Sequence, residues 1–126
     1  MAPYSDALTS AVVSYIEAEG IEVKHFLNFR IEDNLAVGRR DPMLLLEDVK
    51  KLNTSGVDAV VLSVCVQLPS LPAIAEAQRR LGVPVTSTAV CTVHGMLERL
   101  ALKRDIPGGG ALLGDRTGLE PAIMRA

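Results

Sequence analysis

Aromatic side chains are almost missing from this sequence: no tryptophan, two tyrosines and two phenylalanines in 126 residues. Any core it builds is therefore aliphatic. Cysteine is scarce too. Two cysteines far apart make no disulfide framework, and a reduced cytoplasmic compartment is the default for such a chain. No continuous apolar run approaches the ~18 residues of a membrane span. Met1-Ala2-Pro3-Tyr4-Ser5-Asp6 lacks the basic start and long apolar centre of a secretory signal. Charge of one sign is lacking as well. Thirteen Lys and Arg stand against fifteen Asp and Glu, with no basic stripe, which argues against nucleic acid as the main partner. Cys91 and His94 form a C-x-x-H pair, but no further Cys or His lies near them, so no metal is expected. Gly108-Gly109-Gly110 lacks a following Lys-Ser/Thr and a strand just before it, which excludes a phosphate loop. It reads as a flexible joint.

What is present is enough apolar material, 48% of the chain, for one ordinary domain. The organising stretch is Val57 to Leu81. Val57 to Val64 is rich in apolar and β-branched residues and reads as a strand buried on both faces, as in a parallel sheet. Pro69-Ser70-Leu71-Pro72 opens a helix whose apolar stripe is Leu71, Ile74, Ala75 and Leu81, with Gln78 as its weak point. Cys65 thus falls between the carboxyl end of a strand and the amino end of a helix. Ligands bind at that edge of open α/β sheets, and a helix amino end favours a thiolate and an anion.

The rest of the chain alternates in the same way. Ser5 or Asp6 caps a first helix with the stripe Leu8, Val12, Tyr15 and Ile16, ended by Gly20. Ile21 to Asn28 alternates as a half-exposed strand near a sheet edge. Residues 29–38 form a loop. Asp41 and Pro42 begin a helix reaching about Asn53, with Leu44, Leu45, Val49 and Leu52 inward. Val83 to Ser87 is a short strand. Thr88 to Leu102 is a helix with Ala89, Thr92, Val93, Met96, Leu97 and Leu100 buried, and Cys91 packed in the core. The tail from Ala111 is expected to be only partly ordered. The pattern implies an α/β fold, with a parallel, doubly wound sheet between helices in three layers. One irregularity stands out. The chain opens on a helix, whereas the first strand of such a sheet is usually central. Asn34 and Tyr4 both fall at the carboxyl edge, where an amide and a phenol can meet a carboxylate.

These residues carry a resemblance. The stretch GVDAVVLSVCVQLPSLPAI, with Pro3-Tyr4 before the first helix and Ile31-Glu32-Asp33-Asn34 in the loop, resembles the second half of a maleate cis-trans isomerase. That family belongs to the aspartate/glutamate racemase and arylmalonate decarboxylase superfamily. The most specific part is S-x-C-V-Q-x-P-S-L around Cys65. The resemblance implies one domain of the racemase fold, with its first strand missing. It implies cofactor-independent isomerisation of maleate to fumarate by cysteine addition and elimination. Cys65 would be the second cysteine, a proton donor and acceptor. Tyr4, Asn34, Val66 and Gln67 would bind a small dicarboxylate. Cys91 matches neither catalytic position.

Family members are about twice this long. The expectation is therefore a truncated or separately encoded second half: residues 1–105 as an α/β half-domain, residues 106–126 as a Gly-rich joint and tail. It would be completed by an N-terminal half or by a homo-oligomer. The alternatives are a racemase or decarboxylase of another small dicarboxylate, or a non-catalytic binding module left by truncation.

Overall fold

The computed structural model describes residues 1–63 and 68–119. Its helices begin where the sequence places caps. Ser5 accepts a hydrogen bond from the Leu8 N–H (3.4 Å) at the start of α1 (Asp6–Ala18). Asp33 accepts from the Leu35 N–H (2.9 Å) at the start of α2 (Asn34–Arg39), a short helix inside the expected loop. Asp41 accepts from the Met43 N–H (2.9 Å), and Pro42 takes the first position of a 3-10 turn, Pro42–Leu44. The turn continues as α3 (Leu45–Asp48) and a second 3-10 turn, Val49–Lys51. The single helix expected here is thus a broken one, and it buries Leu46 while leaving Leu44 exposed. Then follow β1 (Val60–Leu62), α4 (Leu71–Leu81), β2 (Val85–Ser87), α5 (Thr88–Arg99) and a last 3-10 turn, Ala111–Leu113.

The sheet is parallel and the fold is α/β. Val60 lies opposite Val85, and Leu62 opposite Ser87. On the other side of β1, the Met1 amino group donates to the Val61 carbonyl (2.8 Å). Ala2 in turn bridges Asn28 in parallel. Its N–H donates to the Leu27 carbonyl (2.9 Å), and its carbonyl accepts from the Phe29 N–H (2.9 Å). The lateral order is therefore residues 27–29, residues 1–2, β1, β2. The buried apolar core is aliphatic, centred on Leu45, Val49, Leu62, Leu68, Ile74, Ala77 and Val85.

Four expectations are corrected by this arrangement. Ile21 to Asn28 is not a strand, apart from the bridge at Asn28 to Ala2: among the described residues no backbone group bonds to the backbone of residues 21–26. β1 is not covered on both faces: Val60 and Leu62 are buried, but Val61 is 39% exposed beside an open slot. α1 turns Thr9, Val12, Val13 and Ile16 inward, and leaves Leu8 and Tyr15 (71%) exposed. α5 buries Val90 and packs Leu97, so the stripe Ala89, Thr92, Val93, Met96 and Leu100 faces out, Met96 being 57% exposed. Cys91 is exposed too, its Sγ 3.6 Å from the Thr86 hydroxyl.

The chain after Ile106 is seated as far as Leu119. Gln78, buried in α4, is the reason. Its side-chain oxygen accepts from the Ala111 N–H (2.9 Å) and the Val85 N–H (3.4 Å). Its amide nitrogen donates to the carbonyls of Asp115 (2.9 Å) and Thr117 (3.0 Å). Gly110 makes the close approach possible. It sits at φ 75°, and a Cβ there would stand 2.4 Å from the Val85 carbonyl oxygen.

Burial holds the Met1 amino group below its ordinary value of 8.0, at about 6. Between these values the unfolded chain binds a proton that the folded chain has released. Stability therefore rises with pH across that window, is fully present above about 8 and is lost as pH falls toward 6. The gain is about 3 kcal/mol. Urea denaturation at both ends of the window should show it, and Nα-acetylation should remove it.

Candidate active site

The carboxyl ends of the extended segments meet at one edge. After Ala2 the chain runs through Pro3 and Tyr4 into α1. After Asn28 it runs through residues 29–33 into α2, whose first residue is Asn34. The Pro3 carbonyl accepts from the Ile31 N–H (3.0 Å), so the segments bearing Tyr4 and Asn34 leave the sheet side by side. Tyr4 is half-buried there. After Ser87 the chain enters α5 directly, with the Ser87 hydroxyl accepting from the Val90 N–H (3.2 Å). Cys65, Val66 and Gln67 lie outside the described residues. The flanking chain runs from strand to helix in the expected order, but β1 spans Val60–Leu62 where a strand over Val57 to Val64 was expected; α4 begins at Leu71, and Leu68 and Ser70 are buried.

Two clusters that spacing alone did not reveal hold this edge. In the first, one carboxylate oxygen of Asp6 accepts from the Asn28 amide (2.8 Å) and from Arg30 Nε (2.9 Å). The Asn28 side-chain oxygen also accepts from the Arg30 N–H (2.9 Å), and Arg30 takes a left-handed φ of 51°. The groups are exposed, so the ion pair adds little stability. Its effect is positional: it ties the first turn of α1 to the loop that leads to Asn34. In the second cluster, the buried Asp48 carboxylate pairs with Arg40 and with Lys51 (2.9 Å), and the Arg40 guanidinium lies 4.6 Å over the Phe29 ring. This pins the far end of the same loop to α3. Asn28-x-Arg30 carries a local signal, an Asx-type turn. The Arg40–Asp48 pair carries none that spacing could expose.

No group of three or more His, Cys, Asp or Glu able to hold a metal is present among the described residues. His94 is bonded to Arg104 (3.1 Å) instead. No helix among the described residues is long and apolar enough to cross a membrane.

A family model described as arylmalonate decarboxylase matches residues 1–113. The maleate isomerase of Geobacillus stearothermophilus is 54% identical over 113 residues, which are 90% of this chain and 45% of that protein. A Nocardia farcinica maleate cis-trans isomerase, solved as a cysteine-to-serine mutant with a covalently bound succinylcysteine intermediate, matches with a TM-score of 0.84 and 38% identity. That match covers 89% of this chain and 46% of the other. A crystal structure of arylmalonate decarboxylase matches with a TM-score of 0.73 and 25% identity, over 89% of this chain and 50% of the other. The chain spans about half the length of the curated relatives it matches.

Proposed function

The chain belongs to the arylmalonate decarboxylase family, and from that premise we propose that it is one half of a cofactor-independent maleate cis-trans isomerase. The observation that carries this reading is a difference in identity over nearly the same stretch: 54% to a maleate isomerase against 25% to an arylmalonate decarboxylase. In this reading residues 1–105 are the half-domain, and residues 106–126 its joint and tail.

The chemistry is that of addition and elimination. A thiolate from the complementary half attacks one olefinic carbon of maleate, and the π pair moves to the other. The Cys65 thiol protonates that second carbon. The product is a succinyl thioether whose central bond is single and rotates. The Cys65 thiolate then removes a proton, the C=C bond re-forms, the C–S bond breaks and fumarate leaves. Support comes from the Nocardia farcinica structure. There one cysteine is replaced, so the succinyl group sits on a different one. Two thiols with separate tasks fit that observation.

Tyr4, Asn34, Val66 and Gln67 hold the substrate carboxylates in this reading. A helix amino end lowers the pKa of a nearby thiol, while a bound dianion raises it. The dianion thus favours the protonated form that a donor needs. Asn34→Ala should lower kcat/KM for maleate about 10- to 100-fold, the effect of one hydrogen bond to a charged group. Asn34→Asp should lower it further, because a carboxylate then faces a carboxylate.

The deciding experiment is product analysis. The chain is combined with the half of the Geobacillus stearothermophilus enzyme that its match leaves out, and offered maleate, aspartate and phenylmalonate. Fumarate formation from maleate alone supports the reading. Racemised aspartate, or carbon dioxide from phenylmalonate, would move the chain to another reaction of the family. No turnover, with an unreactive Cys65, would make it a binding module.

A further inference from the structure

Asp6, Asn28 and Arg30 meet where two chain segments leave the sheet. Beyond the Ala2–Asn28 bridge, one backbone bond joins these segments, from the Ile31 N–H to the Pro3 carbonyl (3.0 Å). No further backbone bond among the described residues links residues 4–6 to residues 32–34. Past that point the tie is made by side chains. One oxygen of Asp6 accepts from the Asn28 amide (2.8 Å) and from Arg30 Nε (2.9 Å). The Asn28 side-chain oxygen accepts from the Arg30 N–H (2.9 Å). Arg30 is held at φ 51°, a conformation that strains any residue but glycine. The ion pair that accompanies it is 73% and 66% exposed and returns little. Stability therefore does not account for the cluster, and strained residues of this kind gather at functional sites. Position in the chain indicates which site: Asp6 stands two residues past Tyr4, and Arg30 four before Asn34.

We propose that Asp6, Asn28 and Arg30 are positioning residues for a dicarboxylate. They fix the spacing of Tyr4 and Asn34, and they neutralise a carboxylate that stands two residues from Tyr4. The inference rests on the reading of Tyr4 and Asn34 as the groups that hold the substrate carboxylates. Spacing matters because a shift of about 1 Å in such groups can lower a rate about 100-fold. Charge matters because a bare Asp6 would repel a dianion arriving at the same edge. Both donors, from Asn28 and Arg30, fall on one Asp6 oxygen. The two effects separate according to which partner is removed. Without Arg30 the loop loses its tie and the Asp6 charge is left bare. Without Asp6 the tie is lost too, but the charge left behind is a cation, which attracts a dianion. Loss of Arg30 is thus the more harmful, although glycine in its place relieves the strain.

The test uses the chain assembled with the half of the Geobacillus stearothermophilus enzyme that its match leaves out. Two quantities are read: KM for maleate, and calorimetric binding of succinate, a saturated dicarboxylate that cannot isomerise. Arg30→Gly should melt within about 3 °C of the parent, or above it. It should nevertheless bind succinate at least about tenfold more weakly and raise KM for maleate by a similar factor. Arg30→Lys, which keeps a cation beside Asp6, should recover part of the loss. Asp6→Ala should weaken binding only about threefold. Asp6→Ala with Arg30→Gly should bind no more weakly than Arg30→Gly alone, since both open one tie and the double variant bares no carboxylate. Salt at about 0.5 M should narrow the gap between the single variants by screening Asp6. Parent-like succinate binding and KM in Arg30→Gly would overturn the proposal. So would a loss of binding matched by a fall in melting temperature, since the cluster would then serve the fold. A parent that binds succinate, is weakened by Arg30→Gly and yet forms no fumarate would leave the proposal standing and remove the isomerase reading. A parent that neither binds succinate nor turns over maleate would remove both.

Discussion

Cys65→Ala should lower maleate-to-fumarate turnover about 10²- to 10⁴-fold, the range for loss of a positioned general acid–base group. KM should change little, because a neutral thiol adds little to ground-state binding of a dianion. The more telling variant is Cys65→Ser. A hydroxyl keeps the shape but stays protonated at neutral pH, so once its donated proton is replaced from solvent it offers no base, and proton removal from the thioether slows more than its formation. Intact-mass spectrometry should then find an adduct, heavier by one maleic acid, on the complementary half. The Nocardia farcinica mutant with its succinylcysteine is a species of this kind. Cys91 is the internal control. It is exposed and bonded to Thr86, and Cys91→Ala should leave turnover within about twofold of the parent. Full turnover by Cys65→Ala would sink the site assignment.

Much of this architecture can be read from local pattern, and its failures share one cause. Ser5 and Asp41 cap as their residue types demand, because a cap is a contact over two or three residues. Gly82 ends α4 in the left-handed conformation for the same local reason. Periodicity locates an apolar face but does not say whether anything covers it. α5 therefore has the expected stripe, yet Val93, Met96 and Leu100 point outward, since its packing onto β2 uses Val90. Val61 is apolar and partly bare because it points to the face of β1 opposite the buried Val60 and Leu62. The candidate site divides in the same way. Tyr4 and the start of α2 at Asn34 reach one edge, as the order of elements implies. The Arg40–Asp48 pair that braces the intervening loop is fixed by packing, and no motif announces it.

Gln78 is the clearest case of a residue whose role lies in distant partners, and Gln78→Ala should have the largest effect on stability. Four hydrogen bonds converge on its amide, two of them from segments 37 and 39 residues away. Truncation leaves the Ala111 N–H and the carbonyls of Asp115 and Thr117 without partners, and opens a cavity behind Leu113. An unsatisfied group costs about 1–3 kcal/mol when fully buried and less here, where Ala111 and Asp115 are half-buried and Thr117 is exposed, and the cavity beside buried Leu113 adds to that. Relaxation of the tail into water recovers part of the loss, so the net cost should be about 3 kcal/mol. Gly110→Ala attacks the same seat from the other side. A Cβ there meets the Val85 carbonyl oxygen at 2.4 Å and Ile74 Cγ2 at 2.7 Å, at a φ unfavourable to alanine. It should cost about 2 kcal/mol or more. The two losses should not add. Each variant already releases residues 106–119 from α4, so the double variant should cost well under the sum. Urea denaturation gives the three values, and limited trypsin digestion gives the mechanism. Cleavage after Arg116 should quicken in both single variants before the core yields. Additive costs, or cleavage unchanged at Arg116, would mean that Gln78 stabilises α4 itself rather than the clasp between α4 and the chain beyond Ile106.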